Sequence, residues 1–156
     1  MQKICSSVKY VGVDDHKIDL FEGQFSVPNG MAYNSYVISA EKIAVMDSVD
    51  ANFGEEWLNN IRNAVHEKTP DYLVVQHMEM DHSANIKNFM DTFPQAKIVS
   101  SKMAFVMMKN MFARSAVLPF PNSFACFPIE YGFGPVLFSY TSAADSGLGL
   151  LIPSHD

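Results

Sequence analysis

At 156 residues the chain is long enough for one domain, which on folding would bury about two-thirds of its unfolded surface. A net charge of −6 with no Lys/Arg cluster or basic stripe excludes a nucleic-acid footprint, and two distant cysteines, Cys5 and Cys126, argue against a disulfide framework or a thiolate metal site. Met1 to Cys5 lacks the apolar core of a secretory signal, and no apolar run approaches the ~18 residues needed to span a bilayer, so the expectation is a soluble, cytoplasmic protein with reduced thiols.

In chain order, residues 8–47 read as short strands joined by turns: Val8 to Val13, His16 to Phe21, Tyr36 to Ile38 and Ile43 to Met46. Pro28-Asn29-Gly30 carries turn chemistry, with glycine free to take positive φ, and the segment as a whole predicts a β meander. Asp47 and Asp50 bring acidic side chains to the last strand's end, where capping a loop is the expected role and support of a nearby metal site the alternative.

From Asn52 the period changes: Trp57, Leu58, Ile61, Ala64 and Val65 share one helical face, predicting a helix over about 53–67. Asn52 followed by Glu55 resembles a capping box, Thr69-Pro70 reads as the stop, and His66 is taken as a surface residue. Tyr72-Leu73-Val74-Val75 is continuously apolar, as in a strand covered on both faces. Ser83 is expected to cap a helix carrying Ile86, Phe89 and Met90 up to Phe93-Pro94, and Ala96 to Val99 reads as another buried strand. Ser100 or Ser101 would start a third helix, 102–112, whose Met103, Val106, Met107 and Met111 read as core packing in preference to a soft-metal or binding surface. Strands alternating with helices predict a layered α/β arrangement.

Directly after the apolar strand stand His77-Met78-Glu79-Met80-Asp81-His82-Ser83. In an extended backbone alternate side chains point the same way, so His77, Glu79 and Asp81 would converge, with His82 beside them. Imidazole plus two carboxylates without a thiolate suits iron or manganese better than zinc. The bland alternative is a solvated polar loop.

Residues 113–156 differ in kind. Only Arg114, Glu130, Asp145 and Asp156 are charged, lysine is absent, and Pro119, Pro121, Pro128 and Pro135 interrupt any regular element. The tail predicts no clear fold, either as irregular loops on the core or as a truncated or partly frame-shifted continuation.

Four stretches carry a family resemblance: Gly30-Met31-Ala32-Tyr33-Asn34-Ser35-Tyr36, Met46-Asp47-Ser48-Val49-Asp50, Val74 through Ser83, and Ala96-Lys97-Ile98-Val99-Ser100-Ser101. Over about residues 10–112 the chain resembles the amino-terminal metallo-β-lactamase-like domain of flavodiiron proteins, also called A-type flavoproteins. Zinc hydrolases of that superfamily carry H-x-H-x-D-H, whereas Glu79 replaces the second histidine here.

The resemblance implies a partial αββα fold, a mixed sheet with helices, in which 1–112 is the N-terminal half of the domain, 113–156 a divergent or truncated tail, and the flavodoxin-like domain absent. It implies iron, as a di-iron pair, bound by His77, Glu79 and Asp81, with His82 a weak or outer ligand and Asp156 near the position of a bridging aspartate. His155 and Asp156 read otherwise as terminal surface residues. It further implies reduction of dioxygen or nitric oxide with electrons from FMN on the missing domain, a flavin or rubredoxin-type donor, and a head-to-tail homodimer. The family's later His-Trp-Pro ligand is not found in this sequence. Two alternatives stay open: a zinc-dependent hydrolase of the same fold, and a non-catalytic remnant that cannot hold two metals.

Overall fold

A computed structural model describes residues 4–112 and the backbone of two later strands, 124–126 and 136–138. Among the described residues, seven strands form one mixed sheet in the order β1-β6-β7-β8-β9-β10-β11: Val8–Tyr10, Tyr36–Ser39, Ile43–Met46, Tyr72–Val75, Lys97–Ser100, Phe124–Cys126 and Val136–Phe138. Pairing is antiparallel from β1 to β7, parallel from β7 through β10, and antiparallel again at β11. The parallel strands are joined by helices α1 (Gly54–Val65), then α2 (Met80–Ser83) and α3 (Ile86–Thr92), then α4 (Lys102–Phe112). The expected mixed α/β fold is therefore present. Within 113–156, two short strands extend the sheet, and the rest of that tail, including His155 and Asp156, lies outside the described residues.

The amino-terminal meander is divided differently from the expectation. Val8 to Val13 is not one strand: β1 pairs with β6, whereas β2 (Val13–Asp15) pairs with β5 (Met31–Tyr33) in a separate ribbon. Gly12 makes the break, because a Cβ there would collide with the Tyr33 carbonyl and the Tyr10 ring. The run His16 to Phe21 is shortened in turn. The Asp15 carboxylate accepts from the amides of Lys17 (2.9 Å) and Ile18 (3.1 Å), a turn that leaves only β3 (Leu20–Phe21) to pair with β4 (Phe25–Ser26). The Pro28-Asn29-Gly30 turn forms as expected, with Gly30 at φ 80° and its amide donating to Val27 at 2.8 Å.

The core lies between α1, α3 and the sheet, built on Trp57, Ile61, Leu73, Val37, Val45, Val75 and Phe89, all at most 1% exposed. The Trp57 and Phe89 rings meet at 5.8 Å between centroids. Trp57 Nε1 donates to Ser35 Oγ at 2.9 Å, and that hydroxyl donates to the Asp47 carbonyl at 3.1 Å, so the core is pinned to the end of β7.

Three helix boundaries depart from the expectation. Asp50, not Asn52, caps the opening 3-10 turn Ala51–Phe53 through the Asn52 amide, and no side chain caps α1 itself. That helix ends at Val65 because exposed His66 turns to φ 57°, before Thr69-Pro70 is reached. Ser101 does cap α4, its Oγ accepting from the Ala104 amide at 3.2 Å. The buried face of α4 is nevertheless Ala104 and Met108, while Met103, Val106, Met107 and Met111 are exposed, which reverses the expected core stripe.

Asp71, just before β8, binds the Ile43 amide (2.8 Å) and Lys42 Nζ (3.0 Å). These bonds, the amide first, hold its carboxyl below the ordinary value. A lowered folded value gives stability that is present above the ordinary carboxylate range and lost as pH falls through the folded value. Asp71→Asn should therefore lower the unfolding free energy from urea titration slightly at neutral pH, by less than about 1 kcal/mol at this solvent-screened site, and the difference should vanish in acid.

Candidate metal centre

The strand β8 runs parallel between β7 and β9, so the chain leaving its carboxyl end emerges at the rim where open α/β sheets place ligands. The sequence-predicted donors lie in that loop, but not as one line of alternating side chains. The backbone stays extended only to Glu79 (φ −66°, ψ 145°), after which Met80–Ser83 winds into the single turn α2. Two backbone bonds close that turn, His82 to the Glu79 carbonyl at 2.9 Å and Ala84 to Met80 at 3.1 Å. Ser83 Oγ donates back to the Met78 carbonyl at 3.2 Å, so Ser83 ties the loop and does not cap α3 as expected.

Two imidazole–carboxylate pairs result. His77 Nδ1 lies 3.6 Å from Glu79 Oε2 on the exposed side, and His82 Nε2 lies 3.3 Å from Asp81 Oδ2 on the sheltered side. The two imidazole rings meet edge to face at 4.5 Å, which makes the pairs neighbours. Among the described residues no three His, Cys, Asp or Glu side chains form a metal-sized group. In type, two imidazoles and two carboxylates without a thiolate fit iron; in arrangement they offer two half-sites.

The surroundings hold this loop tightly. Asp47 is 4% exposed and sits at φ 54°, a left-handed conformation that aspartate tolerates better than most residues. Its carboxylate accepts from the Gln76 amide at 2.7 Å and from Gln76 Nε2 at 2.8 Å. Ser48 donates both its amide and its hydroxyl to the His82 carbonyl, each at 2.9 Å. Asn85, fully buried, donates to the carbonyls of Val49 (3.0 Å) and Asp50 (2.8 Å), locking the β7–α1 connection against α3. Asp47 thus serves the loop and not a cap, and Asp50 takes the capping role. Gln76 and Ser48 stand in the stretches that carry the resemblance but had no role read for them, and Asn85 was not singled out; the signal available was Asp-Ser at the end of an apolar strand. Tyr33 is also buried nearby, and its phenol is pushed above 10.0 by burial first, then by the charges of Asp50, Asp15 and Asp81. It stays protonated at neutral pH.

No protein-family model matches the chain. Among curated proteins it is similar to the anaerobic nitric oxide reductase flavorubredoxin of Aliivibrio fischeri, 32% identical over 102 residues, 65% of this chain and 21% of that protein. Among solved structures it is similar to the flavodiiron protein of Giardia intestinalis, with TM-score 0.72, 28% identity, and coverage of 85% of this chain and 31% of that one. It is also similar to the rubredoxin oxygen:oxidoreductase of the anaerobe Desulfovibrio gigas, with TM-score 0.69, 30% identity, and coverage of 76% and 29%. The chain spans only 16% to 27% of the length of the first curated relatives it matches.

Proposed function

We propose, starting from this chain's homology with the flavodiiron proteins, that it contributes part of a di-iron site to an oxidoreductase that reduces dioxygen or nitric oxide. The observation that carries the reading is the placement of His77, Glu79, Asp81 and His82 as two neighbouring imidazole–carboxylate pairs where β8 ends. Each pair supplies one neutral nitrogen donor and one anionic oxygen donor, so the negative charge of Glu79 and Asp81 offsets part of the charge of bound cations. Iron, when bound, supplies open coordination positions for a small diatomic molecule and a change of valence. Glu79 separates this reading from a zinc-dependent hydrolase, in which a second histidine would stand at that position. Two donors per pair fall short of what holds a metal firmly, so further ligands come from elsewhere, Asp156 being one candidate within the chain. Electrons would come from FMN on a flavodoxin-like domain or from a rubredoxin-type donor, across a head-to-tail homodimer in a complete assembly.

The remnant reading is favoured by one observation, the absence of any three-donor group among the described residues. Both are tested by loading the purified chain with Fe(II) without oxygen, measuring retained metal, and following oxygen consumption beside a reduced flavin. We expect weakly held iron and little turnover by the chain alone. A chain that retains no iron at all would favour the remnant, and two tightly held irons with rapid turnover would show that its own residues complete the site.

A further inference from the structure

We infer that Asp47 is a positioning residue for the metal loop, orienting His82 so that its Nε2, and not its Nδ1, is presented beside Asp81 to a divalent cation; this rests on the metal reading above. His82 Nδ1 is buried and has no hydrogen-bond partner, the only such side-chain atom among the described residues. The group it faces is Asp47 Oδ2, 3.7 Å away, just beyond hydrogen-bond length. Its other nitrogen faces Asp81 at 3.3 Å. A ligating histidine whose second ring nitrogen donates to a carboxylate has its tautomer and ring direction fixed by that carboxylate. Asp47 is suited to the task because it is itself immobilised. Gln76 donates twice to its carboxylate, the Val74 carbonyl accepts from its amide at 2.8 Å, and Ser35 donates to its carbonyl at 3.1 Å. Ser48 next to it grips the His82 carbonyl, so the backbone of residue 82 cannot drift away from the carboxylate. A closing movement of less than an ångström would bring Nδ1 to an ordinary donor distance from Oδ2.

The two carboxylate oxygens are separable by substitution. Oδ1 takes the Gln76 amide, whereas Oδ2 takes Gln76 Nε2 and faces His82. Asp47→Asn retains an oxygen for the Gln76 amide and tolerates the left-handed backbone, but presents an NH2 group where Oδ2 stood. The Gln76 amide group can flip to meet that NH2 with its own oxygen. His82 has no such freedom, and only an unprotonated Nδ1 is compatible with the new donor. The proton then sits on Nε2, where it blocks the cation.

The test uses the full chain with Fe(II), and with Zn(II) as a diamagnetic probe, measuring affinity, thermal midpoint and the His82 ring-nitrogen resonances by long-range 1H–15N correlation. Asp47→Asn should weaken metal binding by about 10- to 100-fold, the range typical of outer carboxylates, and shift the His82 proton from Nδ1 toward Nε2, with the thermal midpoint nearly unchanged. Gln76→Ala, which leaves Oδ2 free to face His82, should retain most of the affinity. Metal binding unchanged by Asp47→Asn, or lost only in step with the thermal midpoint, would overturn the inference. If the unaltered chain binds neither metal, the metal reading fails, and the metal-free spectra decide the positioning role: a shift toward Nε2–H in Asp47→Asn sustains it, and identical spectra end it.

Discussion

Trp57→Ala is expected to lower the unfolding free energy by about 3–5 kcal/mol, the largest stability effect of any single substitution considered. Trp57 is fully buried on α1, stacks obliquely on Phe89 of α3, and donates its indole N–H to Ser35 Oγ. Alanine would leave a cavity between two helices and the sheet and would strip Ser35 of a donor. For a chain of this size each kcal/mol moves the thermal midpoint by roughly 2–4 °C, so the shift should exceed about 6 °C. Trp57→Phe keeps most of the apolar volume and loses the hydrogen bond, so it should cost about 1–2 kcal/mol. Trp57 is the chain's single tryptophan, so both variants are best followed by far-ultraviolet circular dichroism in urea. Equal costs for the two would show that the indole–serine bond, and not ring packing, carries the effect.

That substitution also reaches the loop at the end of β8. Ser35 links the indole to the Asp47 carbonyl, and Asp47 in turn holds Gln76, the residue before His77. The core and the donor loop are thus joined through one hydroxyl, and loosening α1 should also loosen the site. Metal affinity of Trp57→Phe should accordingly fall less than its packing-deficient counterpart's.

The strand before the donors was legible because Tyr72 to Val75 is apolar throughout, as suits a strand between two parallel neighbours, although only Leu73 and Val75 are fully buried while Tyr72 and Val74 are half-buried. The donor loop was legible as composition but not as geometry. Alternation assumes an extended chain, and nothing in His77 to Ser83 announces that the backbone turns helical after Glu79. The turn is stabilised by Ser83 reaching back to the Met78 carbonyl, a local bond that competes with the capping role its sequence position suggests. In α4 the apolar period was real but ambiguous. Met103, Val106, Met107 and Met111 line one side while Ala104, Phe105, Met108 and Phe112 line another, so hydropathy alone does not choose the inward face. Ala104 and Met108 are the residues that join the core. Asp47 was visible as an acidic residue at a strand end, but its partners are 29 residues on at Gln76 and farther at His82, contacts that only the parallel β7–β8 pairing creates.

Removing one donor from each pair, His77→Ala with Asp81→Ala, should abolish metal retention while leaving the fold intact. His77 has 45% and Asp81 13% of its side chain exposed, neither belongs to the apolar core, and neither supports a backbone hydrogen bond described here. Their loss should therefore change the unfolding free energy from urea titration by no more than about 0.5 kcal/mol, the usual range for substitutions away from structural features. Each half-site would retain a single protein donor, Glu79 in one and His82 in the other, and a lone donor does not hold a divalent ion against water. Iron affinity should fall by on the order of 100-fold or more, beyond the 10- to 100-fold that outer residues typically command. Each single substitution should fall between the parent and the double variant, because the opposite pair keeps both of its donors. The measurement is anaerobic Fe(II) titration followed by metal analysis after gel filtration, with circular dichroism recorded on the same samples. Iron retained by the double variant at the parent level would remove His77 and Asp81 from the site and end the reading of two imidazole–carboxylate half-sites.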